Sequence, residues 1–127
     1  MPKILYIEDE PDIARLVCRW LEEEELTVLH APDGHRGLDL VRTDRPDLIL
    51  LDINLGEFSI DGWEVNRRLK ADPQTAAIPV IALTAHTQRS EHREHALQEG
   101  FVEHVSKPFN YDQLVEQVRA HLPEPRA

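Results

Sequence analysis

The sequence predicts an α/β domain: a parallel five-stranded sheet with helices on both faces. Three observations carry that prediction. Strand-like and helix-like segments alternate five times along the 127 residues, as in chains that wind through a parallel sheet. Residues 48–51 (Leu-Ile-Leu-Leu) form a short apolar run bounded by charge and by Pro46, the pattern of a central strand buried on both faces. Asp52 closes that run, at the carboxyl-end rim where open α/β sheets bind their ligands. A buried helix segment fits less well, because four apolar residues make barely one turn and the proline stands just before them.

The elements follow in order. Ile4, Leu5, Tyr6 and Ile7 form a strand that runs into Glu8-Asp9-Glu10. Pro11 suits the first turn of a helix, where its missing N–H is not needed; Ile13, Leu16, Val17, Trp20 and Leu21 then recur at helical spacing. The acidic run at 22–25 reads as a solvated helix end. A second strand is expected at 26–29. Gly34 and Gly37 flank a short helix carrying Leu38 and Val41 inward, which stops near Arg45-Pro46. After the Asp52 strand come a loop at 56–60, Asp61-Gly62, and a third helix with Trp63, Val65 and Leu69 inward. Residues 78–83 read as a β-branched strand ending at Thr84-Ala85. The helical pattern from 87 to 99 is poor in apolar residues, with Ala96 and Leu97 nearly alone, so this helix should be weakly held and able to move. A fifth strand at 101–105 precedes Ser106-Lys107-Pro108, and a last helix carries Tyr111, Leu114, Val115, Val118 and Leu122. The expectation is one domain over 1–122 and a short tail over 123–127. Right-handed crossovers limit the strand order mainly to 2-1-3-4-5, the flavodoxin-like arrangement.

Composition narrows the function. The net charge of −10 argues against nucleic-acid binding, which needs basic surface to displace counterions. No apolar stretch approaches the roughly 20 residues that cross a bilayer, and the N-terminus is no signal peptide. One cysteine, Cys18, rules out an internal disulfide framework and fits a reducing cytoplasm; it reads as a small buried apolar residue. An acidic domain of this kind would act on a protein or a small molecule.

In a parallel sheet all carboxyl ends share one rim. Glu8 and Asp9, Asp52 with Asn54, Thr84 with Ala85, and Lys107 therefore converge from distant parts of the chain, while the second strand, ending in His30-Ala31, adds nothing obvious. Two carboxylates about 4 Å apart repel by roughly 4 kcal/mol at an effective dielectric near 20. Three would raise one another's pKa unless cations sit among them. Lys107 supplies one positive charge, and Mg²⁺ or Mn²⁺, which take carboxylates, waters and phosphoryl oxygens, would supply more. A nucleophile, a metal and donors for the remaining oxygens are the parts that phosphoryl transfer needs.

These residues also carry a family resemblance. Ile4-Leu5-Tyr6-Ile7-Glu8-Asp9-Glu10-Pro11, Leu50-Leu51-Asp52-Ile53-Asn54-Leu55, Asp61-Gly62, Leu83-Thr84-Ala85 and Ser106-Lys107-Pro108-Phe109 resemble, in order, the motifs of the receiver domain of two-component response regulators. The resemblance implies that Asp52 accepts a phosphoryl group from phosphohistidine of a sensor histidine kinase or histidine phosphotransfer protein. It implies a metal held by Asp9, Asp52 and the Asn54 backbone carbonyl, with Glu8 acting through water. Thr84, Ala85 and Lys107 would bind the phosphoryl oxygens. Asn54 and His86, the latter two after the Thr, would tune its lifetime. Such a protein is a timed switch rather than a turnover enzyme, and it signals to a downstream protein target through the surface of its fourth helix, fifth strand and fifth helix. A phosphorylation-dependent dimer belongs to the same expectation.

Two departures stand out. Gly56 occupies the position where the family commonly has Pro, and Glu57-Phe58-Ser59-Ile60 lengthen the loop by about two residues. Phe58 and Ile60 either pack down onto the loop or meet a partner, since exposed apolar groups on a polar rim are costly. His104 stands where the family usually has the Tyr or Phe that turns inward with Thr84. It either acts as that ring or alters the coupling. These departures support the alternative, a receiver-fold binding module that no longer switches. His92 and His95, with His86 upstream, admit a zinc site but read better as solvated polar residues.

Overall fold

The computed structural model describes residues 2–55, 60–85 and 90–122, with backbone alone for Ala85 and for 90–93. Ten elements alternate: β1 (Lys3–Ile7), α1 (Pro11–Glu23), β2 (Thr27–Ala31), α2 (Gly34–Asp44), β3 (Leu48–Asp52), α3 (Gly62–Ala71), β4 (Val80–Ala85), α4 (Ser90–Gln98), β5 (Glu103–Lys107) and α5 (Tyr111–His121). Every strand pairing is parallel and the order is β2-β1-β3-β4-β5, the flavodoxin-like arrangement expected. The loop at 56–59 with Phe58, the stretch 86–89 with His86, and the tail at 123–127 lie outside the described residues.

The period-two alternation of strand side chains divides the core between the two sheet faces. Ile4, Tyr6, Leu48, Leu50, Ile81, Leu83 and Val105 pack against α1 and α5 through Val17, Leu21, Leu114 and Val118. Leu5, Ile7, Ile49, Leu51, Val80 and Ala82 pack against α2, α3 and α4 through Val41, Val65, Leu69 and Ala96. Every residue of β3 is buried, as its unbroken apolar run requires.

Several boundaries differ from expectation, each for a local reason. Gly34 and Gly37 lie inside α2 rather than flanking it, because Asp33 is the cap and accepts from the Arg36 amide at 2.8 Å. Gly37 is needed for close approach: a Cβ there would fall 2.4 Å from Ile7 Cδ1. The second strand begins at Thr27, not Leu26, because the Leu26 amide closes the end of α1 onto the Leu21 carbonyl. The fourth begins at Val80: Pro79 has no N–H to pair, and only its carbonyl joins the sheet, accepting from Ile49 at 3.0 Å. The fifth starts at Glu103 rather than Phe101, whose apolar side chain is buried in the α2–α3–α4 core ahead of the strand.

Candidate functional site

Strand register and side-chain alternation assemble the site. Ile7 pairs with Leu51 across β1 and β3, Asp52 with Leu83 across β3 and β4, and Ala85 with Lys107 across β4 and β5. The strand ends are therefore level. Glu8 and Asp52 continue the series Ile4, Tyr6 and Leu48, Leu50, and Lys107 continues that of Val105, all on the α1–α5 face. Thr84 and His104 lie in register with the other face.

Glu8 and Asp52 are almost fully buried, 1% and 2% exposed, whereas Asp9 is exposed. Carboxylate oxygens of the three come within 4.8 Å of one another. Lys107 Nζ lies between the two buried acids, 2.8 Å from Glu8 Oε1 and 3.3 Å from Asp52 Oδ2. The Asn54 amide donates to Asp52 Oδ1 at 3.0 Å, and the Tyr6 hydroxyl donates to Glu8 Oε1 at 3.0 Å.

Burial first, and the neighbouring Glu8 second, push the Asp52 carboxyl up to about 7 against the pull of Lys107 and the Asn54 amide. Glu8 moves the other way. Burial would raise it, but hydrogen bonds from Asp52, Lys107 and Tyr6 together hold it below the usual carboxylate range. Burial works against the Lys107 charge too, and Glu8 and Asp52 more than offset it, so the ammonium is held more firmly than in water. Burial and the Glu8 charge thus favour the protonated form of Asp52, while Glu8 stays the charged partner of Lys107. Three oxygen donors on a partly open rim, against one ammonium, suit a hard divalent cation.

Asp61-Gly62 has a structural role visible at this rim. Asp61 caps α3, accepting from the Glu64 amide at 2.9 Å. The Gly62 amide donates to Ile53 O at 3.0 Å. A Cβ on Gly62 would lie 2.6 Å from both the Asp52 carbonyl oxygen and Ile53 Cα. The helix is thus seated directly on the backbone that carries Asp52.

Thr84, 7% exposed, shares a 2.8 Å hydrogen bond between Oγ1 and His104 Nε2. The histidine ring therefore faces inward here. Of the remaining expectations, Ile60 packs down against the core, while Phe58 and His86 fall outside the described residues. His95 packs against Trp63 in a tilted contact, with ring centroids 4.6 Å apart. Cys18 is half-buried against the α1–α5 core, and burial, followed by Glu22, raises its thiol pKa. The second strand's end contributes more than expected: His30 Nε2 lies 2.8 Å from the Glu8 carbonyl oxygen.

Comparison with known proteins agrees with this geometry. The family model for the response regulator receiver domain matches residues 4–119. RpaA of Synechocystis, a DNA-binding dual master transcriptional regulator, is 39% identical over 122 residues, covering 96% of this chain, which spans about half (49%) of RpaA. The polar-differentiation response regulator DivK of Brucella anthropi is 36% identical, with 96% of this chain and 98% of DivK covered. Among solved structures, the receiver domain of Francisella response regulator 1452 superposes with a TM-score of 0.86 at 29% identity, covering 94% of this chain and 95% of that one. A rim of buried acids bridged by a lysine, on this strand order and with a family match along almost the whole length, places the chain among the response regulator receiver domains.

Proposed function

We propose that Asp52 is the phosphoacceptor of a signalling switch charged by phosphohistidine of a sensor kinase or phosphotransfer protein. One observation carries this reading: Lys107 bridges Glu8 and Asp52 inside a cluster of three carboxylates that has no other cation among the described residues within ion-pair reach.

Glu8, Asp9, Asp52 and the Asn54 carbonyl would hold Mg²⁺ or Mn²⁺. When bound, the ion supplies positive charge that keeps Asp52 ionised and offsets the charge on the transferring group. An Asp52 carboxylate oxygen forms a bond to phosphorus as the phosphorus–nitrogen bond of phosphohistidine breaks. The bonding pair returns to the imidazole, which takes a proton from solvent. Asn54 N–H orients the carboxylate by holding Oδ1. Lys107 Nζ, already beside Oδ2, turns toward a phosphoryl oxygen. Thr84 Oγ1 and the Ala85 amide supply two further donors at the end of β4. The group adds about two negative charges. Thr84 Oγ1 shares a hydrogen bond with His104 Nε2, and its turn toward a phosphoryl oxygen would carry the signal to α4, β5 and α5. Water later attacks phosphorus and releases phosphate, with Asn54 and His86 setting the lifetime. The protein acts in the cytoplasm as a switch with a protein target, not as a turnover enzyme. Among the described residues no helix is long and apolar enough to cross a membrane.

The test is chemical. After incubation with acetyl phosphate and Mg²⁺, mass spectrometry should show one base-labile phosphoryl adduct, absent without the metal and in Asp52→Asn. A constitutive binding module would form none.

A further inference from the structure

We propose that Tyr6 is a positioning residue for the metal-holding acids: its hydroxyl fixes the Glu8 carboxylate so that Glu8 faces Asp9 and Asp52. The inference deepens the reading above and rests on it.

Period two places residues 6 and 8 of one strand on the same face. Tyr6 is fully buried in the α1–α5 core, and its hydroxyl emerges directly beneath Glu8, 3.0 Å from Oε1. That oxygen also accepts from Lys107 Nζ at 2.8 Å. Oε2 has a long contact from the Glu10 amide, at 3.5 Å. Two strong donors on one oxygen define which way the carboxylate is turned, and they present the other oxygen to the rim. The need for a second anchor follows from chain length. Glutamate has one more rotatable bond than aspartate, and Lys107 cannot hold it alone because the ammonium is shared with Asp52. An aliphatic residue at position 6 would offer no donor and leave Oε1 with Lys107, an ammonium that Asp52 shares. Burial, with the Glu8 charge beside it, pushes the phenol pKa far up, so the hydroxyl remains a donor throughout the working range. His30, exposed on β2, steadies the same residue from the other end by its contact with the Glu8 carbonyl.

Calorimetric Mg²⁺ titration of the full chain tests the assignment, with Tyr6→Phe as the variant. Losing one hydrogen bond to a charged group should weaken Mg²⁺ binding by about tenfold. The rate of phosphorylation by acetyl phosphate at saturating Mg²⁺ should stay within about twofold of the parent, since the hydroxyl touches neither Asp52 nor the phosphoryl group. In a Glu8→Gln background the same substitution should change Mg²⁺ affinity by less than about twofold, because the effect runs through the Glu8 carboxylate. A folded Tyr6→Phe with parental affinity overturns the proposal, and so does an undiminished effect in Glu8→Gln. On the unsubstituted chain the Tyr6 Cζ resonance should move during the titration with the calorimetric dissociation constant. A stationary resonance overturns the proposal even where the Phe variant does not fold. Absence of Mg²⁺ uptake by the parent defeats the metal reading itself, an outcome separate from a Tyr6 effect that is missing while the parent still binds.

Discussion

At the residue scale, the raised Asp52 carboxyl has a consequence for stability. The Asp52 carboxyl sits at about 7 when folded, against roughly 4 in an unfolded chain. Between those values the folded state keeps a proton that the unfolded state has released, so in metal-free solution the Asp52 contribution to stability falls as pH rises from about 4 to 7 and then levels. Asp52→Asn keeps the shape and removes the charge. It should match the parent near pH 4 and exceed it at pH 8 by roughly 2–4 kcal/mol, the scale set by that displacement. Urea unfolding in EDTA at the two pH values measures this, and a variant with no gain at pH 8 refutes it. Asp52, Glu8, Asp9 and Lys107 were legible because strand ends of a parallel sheet must meet, whatever the loops do. Tyr6 was not singled out, since an aromatic in a strand reads as core. Its place two residues before Glu8 was the available signal. His30 was passed over because a polar residue on an edge strand gives no sign of a backbone partner.

At the element scale, the molecule seats α2 and α3 on the sheet with glycine, but the two contacts differ in what can give way. A methyl on Gly37 meets the flexible tip of Ile7, whereas one on Gly62 meets the backbone of Asp52 and Ile53. Alanine also gains up to about 1 kcal/mol of helix propensity at either position. Gly37→Ala should therefore cost less than about 1 kcal/mol, while Gly62→Ala should cost about 2–3 kcal/mol, as overpacking against fixed atoms does. Because the displaced atoms include the Asp52 carbonyl, Gly62→Ala should also slow adduct formation at saturating Mg²⁺, and Gly37→Ala should not. Thermal denaturation and the acetyl phosphate assay read both. Equal costs for the two would mean that the β3 backbone yields freely. The elements themselves were readable from hydrophobic period and from Pro11, Pro46 and Pro79. Their ends were less so: Phe101 drew the expected fifth strand two residues early, because an apolar pair gives no clue that it belongs to the turn leaving α4.

At the scale of the whole molecule, the described part of α4 is the thinly packed element beside β5. Along residues 94–98 of α4, Ala96 alone is buried, and Leu97 is 43% exposed. Among the described residues, three ties to α3 hold the C-terminal part of this helix and the residue after it. Asn66 Nδ2 donates to the Glu99 carbonyl at 2.6 Å, Arg67 pairs with Glu99 at 3.2 Å, and the Trp63 ring packs at a tilt against His95. All three partners come from α3, whose first residue lies on the Asp52 backbone. The Thr84–His104 hydrogen bond joins β4 to β5 beside it. Thr84 Oγ1 and His104 Nε2 lie 2.8 Å apart, so a phosphoryl group on Asp52 that draws the hydroxyl toward itself would stretch or break this bond. The imidazole would then reorient, and α4, along whose residues 94–98 Ala96 alone is buried, is the adjacent element that can respond. On phosphorylation the His104 ring resonances should shift, and amide exchange in residues 94–98 should change by at least about threefold, while α2 keeps its protection. His104→Phe, which has no hydrogen bond to break, should leave Thr84 free beforehand and speed adduct formation severalfold. Unmoved His104 resonances in a protein shown by mass to carry the adduct would mean that Thr84 and the ring are not coupled, and that any signal leaves the rim by another route.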